Sequence, residues 1–370
     1  MAKPRFHNLK VSRVSPEGEG AVVVGLAVPL ELRQTFAFEP GQFLILRARI
    51  AGQEQRRSYS ICSARQRLAE AGELEIGIRT VDGGAFSTWA ASQLHLGDTL
   101  EVMPPEGRFC IKRAHALHRV GFAAGSGITP ILSIIASSLQ EQPESKFTLV
   151  YGNRRMASVM FNEALQDLKD RYTSRLTLIH VLSRQAQDAP LLQGRIDGLK
   201  VRALIDALLP VKSMDEVFIC GPEGMLEATE SALLTAGVPP ERIRTERFST
   251  QESRARAASV SRDVETTVRH ERGLAQAGAI SLEVHLDGKT HSLSMGAQDR
   301  VLDVALRAGL DLPYSCRAGV CCTCRARVLE GQVQMERNFT LEDWEMKKGF
   351  VLSCQARPLT PKLVISYDER

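Results

Sequence analysis

The chain has 370 residues, 44% hydrophobic and 24% charged, with a formal net charge of +4. That length exceeds one ordinary core and predicts two or three domains, and the composition is that of a water-soluble globular protein. So mild a charge, with no lysine-rich arm or nucleic-acid-reading motif, argues against a nucleic-acid partner, and no apolar run approaches the length of a bilayer span.

The opening MAKPRFHNLK lacks the apolar core of an export signal. Eight cysteines without such a signal point to a reducing compartment, by default the cytoplasm, where thiols bind metals or stay free.

Over residues 1–113 short apolar runs are broken by glycine and proline: GAVVVGLAVP, GQFLILRARI, GELEIGIRTV and GDTLEVMPP. Such spacing predicts an antiparallel β-barrel or sandwich. Within it RRSYSIC places Arg57, Tyr59 and Ser60 at a strand end. Alternate strand positions share a face, so Arg57 and Tyr59 can reach one ligand, the guanidinium on a phosphate and the ring on a flat heterocycle. DGGAFSTW then puts Gly83, Gly84 and Ser87 ahead of a short helix whose first N–H groups suit a phosphate. Each stretch alone reads more readily as a turn than as a site; it is their order together that points to one.

Over 114–248 strands alternate with helices, which implies a parallel sheet covered on both faces. HRVGFAAG leads to a helix from Pro130, FTLVYG to one near 158–170, and LTLIHVLS and DEVFICG each precede another, with RIRTERF closing the block. GFAAGSGITP follows the first strand, so Gly125, Gly127 and Thr129 stand where a dinucleotide pyrophosphate approaches bare backbone at a helix N-terminus. The alternative is a tight strand–helix turn. No acidic residue for a ribose hydroxyl appears about twenty residues on. Instead YGNRR and LSRQ place Arg154 or Arg155, and Ser183 with Arg184, at the next two strand ends. Arginine there suits a 2′-phosphate and hence NADPH; the alternative is surface arginines.

Residues 249–279 are polar and nearly free of large apolar groups, and read as a linker. The last block, 280–370, opens with a hairpin around Asp287-Gly288 and a short helix, RVLDVALRAG. Then CRAGVCCTC packs four cysteines into residues 316–324, with a fifth at Cys354. Cys316, Cys321 and Cys324 fit C-x4-C-x2-C, and Cys354 supplies the distant fourth ligand, the plant-type [2Fe–2S] spacing. Gly319 lets the loop curl closely round a cluster. Cys322 is surplus, because using it gives gaps that match no such site. Zinc would call for two C-x2-C pairs or histidines, and only one pair is present.

Together RSYS, GAFS, GSGITP and CGPEGM resemble the R-x-Y-S, G-x-x-S, G-x-G-x-x-P and C-G-P motifs of the ferredoxin–NADP⁺ reductase superfamily, and the third block resembles plant-type ferredoxins. The module order is similar to that of reductase components of bacterial oxygenases. YGNR, LSR, CGPEGM and CRAGVCCTCRARVLEG are most similar to those of phenylacetate oxygenase systems, which epoxidise the ring of phenylacetyl-CoA. The similarity covers all but the linker; it is specific for cofactors and weakly specific for the final substrate.

The resemblance implies a multidomain fold of flavin barrel, α/β nucleotide domain and α+β ferredoxin domain. It implies Arg57 on the FAD pyrophosphate, Tyr59 and Ser60 along the isoalloxazine, and Gly84 and Ser87 at the FAD phosphates. Gly125, Gly127 and Thr129 would bracket the nicotinamide dinucleotide. Cys220, Gly221 and Pro222 would sit beside the nicotinamide, although a buried cysteine also serves as small apolar filler. Glu246 and Phe248 would approach the flavin from the far side. His115 and His180 read as structural or surface residues.

Cofactor order then sets the chemistry: NADPH gives two electrons, a [2Fe–2S] cluster takes one, and FAD converts between them. The reading is an electron-transfer reductase serving an oxygenase component, in phenylacetate catabolism by the resemblance. The alternatives are a reductase for another oxygenase or for a hybrid-cluster protein, and a cluster-based redox sensor. Arg317, Arg325 and Arg327 beside the ligands are expected to steer an acidic partner, or else to be ordinary solvated charges.

Overall fold

Alternating burial along short strands builds the first sheet. The computed structural model describes residues 6–113, 117–248 and 280–369, so the assigned linker 249–279 and His115 lie outside the described residues. Strands β1 (His7–Pro16), β2 (Ala21–Ala27), β3 (Phe43–Ile50), β4 (Gln53–Ser60), β5 (Glu73–Arg79) and β6 (Thr99–Val102) pair antiparallel in the order β4-β3-β6-β1-β2-β5. The two edges meet where Ile61 bridges Ile76 and the Cys62 N–H donates to Glu75 O at 2.8 Å. The sheet therefore curls into a barrel, which removes its exposed edges. Leu9, Val24, Leu26, Leu44, Leu46, Ile76 and Val102 fill the interior. Helix α1 (Arg65–Ala71) and helix α2 (Ala85–Ser92) pack against it through Leu68, Phe86 and Ala90.

The next strands, β7 (His118–Ala124), β8 (Lys146–Asn153), β9 (Leu176–Leu182), β10 (Glu216–Gly221) and β11 (Ile243–Arg247), form a parallel sheet in the order β11-β10-β7-β8-β9. On one face Ile128, Ile131 and Ile135 of α3 (Ile128–Glu141) and Leu165 of α4 (Asn162–Arg171) close the core. On the other lie Val201 and Leu204 of α5 (Gly198–Leu208) and Leu226 and Leu233 of α6 (Glu223–Thr235). Strand order reverses between β7 and β10, which makes their carboxyl ends the switch point where such sheets bind ligands. At the opposite end the buried Arg119–Glu216 pair, 3.0 Å apart, also holds the Lys112 N–H and the Arg113 carbonyl. Barrel residues Ala21, Val23 and Cys62 belong to the α3–α4 core, so Phe6–Phe248 is a single compact unit.

Helix α4 starts at Asn162, later than the expected 158, because Phe161 takes a left-handed backbone (φ 59°) that no helix can run through.

In the other unit β12 (Ile280–Leu286), β13 (Lys289–Met295), β14 (Arg325–Glu330), β16 (Phe350–Leu352) and β18 (Lys362–Ser366) make a mixed sheet, β13-β12-β18-β14-β16. Strands β15 (Val333–Met335) and β17 (Ala356–Pro358) form a small second sheet. Asp287 and Gly288, both at positive φ, turn the expected hairpin. Helix α7 (Val301–Arg307) buries Leu302 and Ala305 against the sheet, and α8 (Asp343–Lys347) packs near β16.

Candidate functional site

Arg57 and Tyr59 lie half-buried on β4, with Ser60 buried at its end. The Tyr59 and Phe86 ring centroids are 5.6 Å apart, and Phe86 meets Trp89 edge-on at 5.5 Å. This aromatic run ties α2 to Tyr59 of β4. Burial holds the Tyr59 phenol above its ordinary range, with the Arg57 charge opposing. Ser87 closes the turn: its hydroxyl accepts from Val81 N at 3.1 Å and donates to Gly84 O at 3.2 Å. No side chain caps α2, whose N-cap is Gly84. Its uncapped first N–H groups and the Arg57 guanidinium on β4 are donors of the kind a flavin phosphate takes, and the Tyr59 ring offers a face to a flat heterocycle.

The switch point carries the second group. Gly125 takes φ +55° directly after β7, and its carbonyl accepts from the Tyr151 hydroxyl at 2.9 Å. Thr129 is buried and donates to Ser126 O at 3.0 Å, bracing the turn. Gly127 lies so close to β10 that a methyl group there would come within 2.1 Å of the Cys220 carbonyl. Only glycine allows that approach. Helix α3 also begins without a side-chain cap, which fits an anion at its N-terminus.

Cys220 is fully buried, and burial and then the Glu246 charge push its thiol well above the ordinary range, so it stays neutral. Gly221 ends β10 and Pro222 caps α6 beside it. Glu246 pairs in register with Cys220 on β11. Its charge also helps, after burial and Glu39, to push the Cys110 thiol up to about 12. Phe248 packs on the α3–α4 core.

Arg154 and Arg184 meet where β8 and β9 end: Arg184 N–H donates to Arg154 O at 2.9 Å, and Ser183 N–H to Asn153 O at 2.9 Å. Both arginines are exposed. Arg155 separates from them and pairs with Glu19 of the barrel at 3.2 Å. His180 is half-buried beside Tyr151, with ring centroids 6.0 Å apart.

Sequence reasoning missed Arg79, whose Nη1 would lie 3.3 Å from a methyl group at Gly125, placing a barrel guanidinium over the nucleotide turn. It gave no role to Tyr151, although Tyr151 opens the YGNR motif. The signal for Arg79 was its place at a strand end just before DGGAFS.

In the other unit the cysteine loop bends through left-handed residues Arg317, Gly319 and Cys322. The N–H groups of Ala318 and Cys321 point at Cys316 Sγ, at 3.3 and 3.4 Å, and Gln355 Nε2 points at Cys354 Sγ at 3.4 Å. The thiols pair two and two. Cys321 and the loop amides lower Cys316 to about 6, and Cys324 lowers Cys354, while Cys321 and Cys324 rise in turn. Two cysteine pairs, with amide donors aimed at Cys316 and Cys354, match the two-by-two ligand set that two irons with bridging sulfides require. Cys322, at φ +60°, is half-buried at the edge of the same core that holds Cys324 and Cys354. The arginines expected to steer a partner are engaged: Arg317 with Asp303, Arg325 with Glu345 and Arg327 with Glu369. Three acceptors sit within reach of three guanidinium groups, so the steering charge is largely neutralised.

Comparisons with known proteins follow the same three blocks. An oxidoreductase FAD-binding domain matches residues 22–111, an oxidoreductase NAD-binding domain 122–231, and a 2Fe-2S iron-sulfur cluster binding domain 284–359. The chain is 44% identical to a component of the 1,2-phenylacetyl-CoA epoxidase of Escherichia coli (strain K12), over 99% of this chain and 98% of that one. It is 36% identical to the ferredoxin reductase component of 3-ketosteroid-9-alpha-monooxygenase of Rhodococcus rhodochrous, over 97% and 96%. The solved structure of phthalate dioxygenase reductase covers 98% of each chain with a TM-score of 0.59 at 21% identity, a likeness of fold. The chain belongs to the ferredoxin-reductase-type oxidoreductases that carry FAD-binding, NAD-binding and 2Fe-2S domains in series, the family that includes this component of phenylacetyl-CoA epoxidase.

Proposed function

We propose that this chain takes electrons from NADPH and delivers them singly to an oxygenase component, the phenylacetyl-CoA ring 1,2-epoxidase. The observation that carries the reading is 44% identity over nearly the whole chain to a protein named as part of that epoxidase. FAD, when bound, accepts the pair that a nicotinamide gives as hydride and releases it one electron at a time to a [2Fe–2S] cluster. We assign residues 1–113 to the flavin, 114–248 to the nucleotide and 280–370 to the cluster, joined by 249–279.

In this reading Arg57, Gly84 and the N-terminus of α2 hold the flavin phosphates, with Ser87 keeping their turn closed. Tyr59 and Ser60 lie along the isoalloxazine, and the buried phenol stays protonated. The bare backbone at Gly125 and Gly127 receives the dinucleotide pyrophosphate, with Thr129 fixing the turn. Neutral Cys220, with Gly221 and Pro222, forms an uncharged wall for the nicotinamide, and Glu246 stands on the neighbouring strand. Arg154 and Arg184, with Ser183, would take the 2′-phosphate; their exposure and closeness support NADPH. Cys316, Cys321, Cys324 and Cys354 would ligate the cluster. The hydride step itself asks no proton donor of the chain, because the hydrogen moves with its electron pair.

A second reading keeps the chemistry and changes the acceptor, since 36% identity to a steroid monooxygenase reductase is also nearly full-length. Reconstitution decides. Coenzyme oxidation coupled to epoxidation of phenylacetyl-CoA by the purified epoxidase supports the first; oxidation with only a different oxygenase overturns it.

A further inference from the structure

We propose that Tyr151 and Glu17 are positioning residues, the two ends of a hydrogen-bonded strut that sets how the nucleotide turn lies against the barrel. The proposal rests on the reading above that the Gly125–Thr129 turn receives the dinucleotide.

Tyr151 sits on β8 with no exposure. Its hydroxyl lies 2.9 Å from Gly125 O and 3.4 Å from Met160 O, so one proton is shared between the nucleotide turn and the segment before α4. Gly125 is left-handed, and the direction of its carbonyl decides where the following N–H groups aim. Tyr151 fixes that direction.

The next link is Phe161, a left-handed residue that is not glycine. Strain of this kind persists only where surroundings over-determine it, and an observed outlier invites a functional account. Two contacts hold it. Its N–H donates to Glu17 Oε1 at 2.6 Å, a charge-assisted bond from the first residue of the β1–β2 turn. Its ring fills the space over Gly77 of β5, where a methyl group would come within 2.9 Å of both the Phe161 ring and Thr129 Cγ2.

The neighbours of Glu17 make the same crossing. A methyl group at Gly18 would come within 3.1 Å of Val159 O, and Glu19 pairs with Arg155 at 3.2 Å. One barrel turn thus seats on the segment 155–161, which Tyr151 ties to Gly125. If dinucleotide and flavin bind as read above, this chain of contacts governs the spacing of their reacting rings.

The test uses the full chain loaded with flavin and cluster, as parent, Tyr151→Phe, Glu17→Ala and Glu17→Gln. Three quantities are read: calorimetric Kd for NADP⁺, the limiting rate of flavin bleaching by coenzyme in anaerobic stopped flow, and the long-wavelength nicotinamide–flavin absorbance. Tyr151→Phe loses one hydrogen bond to the turn and should raise Kd about two- to tenfold. Glu17→Ala should leave Kd within about twofold yet slow bleaching about tenfold or more and weaken the long-wavelength band, because small misplacements cost rate steeply. Glu17→Gln still offers Phe161 an acceptor oxygen and should recover most of the rate.

Parent values in both Tyr151→Phe and Glu17→Ala overturn the strut while leaving the functional reading intact. Failure of Glu17→Gln to recover, with melting temperature lost in step with rate, reduces both residues to structural support and also overturns it. A parent whose flavin neither NADH nor NADPH bleaches overturns the functional reading and the strut together.

Discussion

The Arg184 N–H donates to the Arg154 carbonyl at 2.9 Å, so two exposed arginines stand together where β8 and β9 end. A 2′-phosphate between them would gain a charge-assisted pair that NADH cannot make. Arg184→Ala, and to a smaller degree Arg154→Ala, should weaken NADPH by about 1.5–3 kcal/mol, roughly ten- to hundredfold, and leave NADH nearly unchanged. Arg155→Ala should not alter the preference, because that side chain serves Glu19. Steady-state KM for both coenzymes checks this. Equal losses for NADH and NADPH in Arg184→Ala would remove the NADPH assignment.

Serine at position 316, 321, 324 or 354 should abolish the cluster absorbance and cut iron content, while flavin bleaching by coenzyme persists. Cys322→Ser should keep the cluster, since the C-x4-C-x2-C spacing leaves Cys322 out and the thiols pair as Cys316 with Cys321 and Cys324 with Cys354. Iron analysis and visible spectra decide. Iron lost in the Cys322 variant and kept in any of the other four would contradict the ligand set.

Arg325 is the partner of Glu345, whose side chain is 0% exposed. Arg325→Gln removes the cation from a buried carboxylate that keeps the Glu342 N–H at 3.1 Å, and should cost about 3 kcal/mol. Arg317→Gln and Arg327→Gln break exposed pairs and should each cost less than about 1 kcal/mol. Thermal melting of the cluster-loaded chain separates them. Because these arginines are already paired, delivery to an acceptor should depend weakly on salt. A steep fall in rate with salt that Arg317→Gln and Arg327→Gln abolish would restore electrostatic steering.

Both ring nitrogens of His180 are buried without a hydrogen-bond partner among the described residues, and burial lowers its pKa from the ordinary 6.5. The unfolded chain protonates this imidazole near pH 6.5, whereas the folded chain does so only at lower pH. The stability His180 permits is therefore fully present above pH 6.5 and is lost as the pH falls below it. His180→Leu should flatten the fall in melting temperature between about pH 7.5 and pH 5.5. An unchanged slope would show that the imidazole is not protonating on unfolding.

What the sequence made legible was local. The C-x4-C-x2-C spacing, the Asp287-Gly288 turn and the GSGITP strand–helix turn each act over a few residues, so periodicity and turn chemistry reveal them. What stayed hidden depends on distant partners. Tyr151 reaches Gly125 across 26 positions, and Phe161 reaches Glu17 across 144. The delayed start of α4 follows from that second contact, since apolar periodicity alone would begin the helix earlier. The arginines beside the cluster looked like free charge because their acceptors, Asp303, Glu345 and Glu369, lie 14, 20 and 42 positions away.

The order of electron flow is the centre of the account, and anaerobic stopped-flow spectroscopy with one equivalent of NADPH tests it most directly. The flavin band should bleach first and the [2Fe–2S] absorbance second, and both should recover on mixing with the oxygenase component of phenylacetyl-CoA epoxidase. A cluster that stays oxidised while the flavin is fully bleached, or a reduced protein that the oxygenase does not reoxidise, would contradict it.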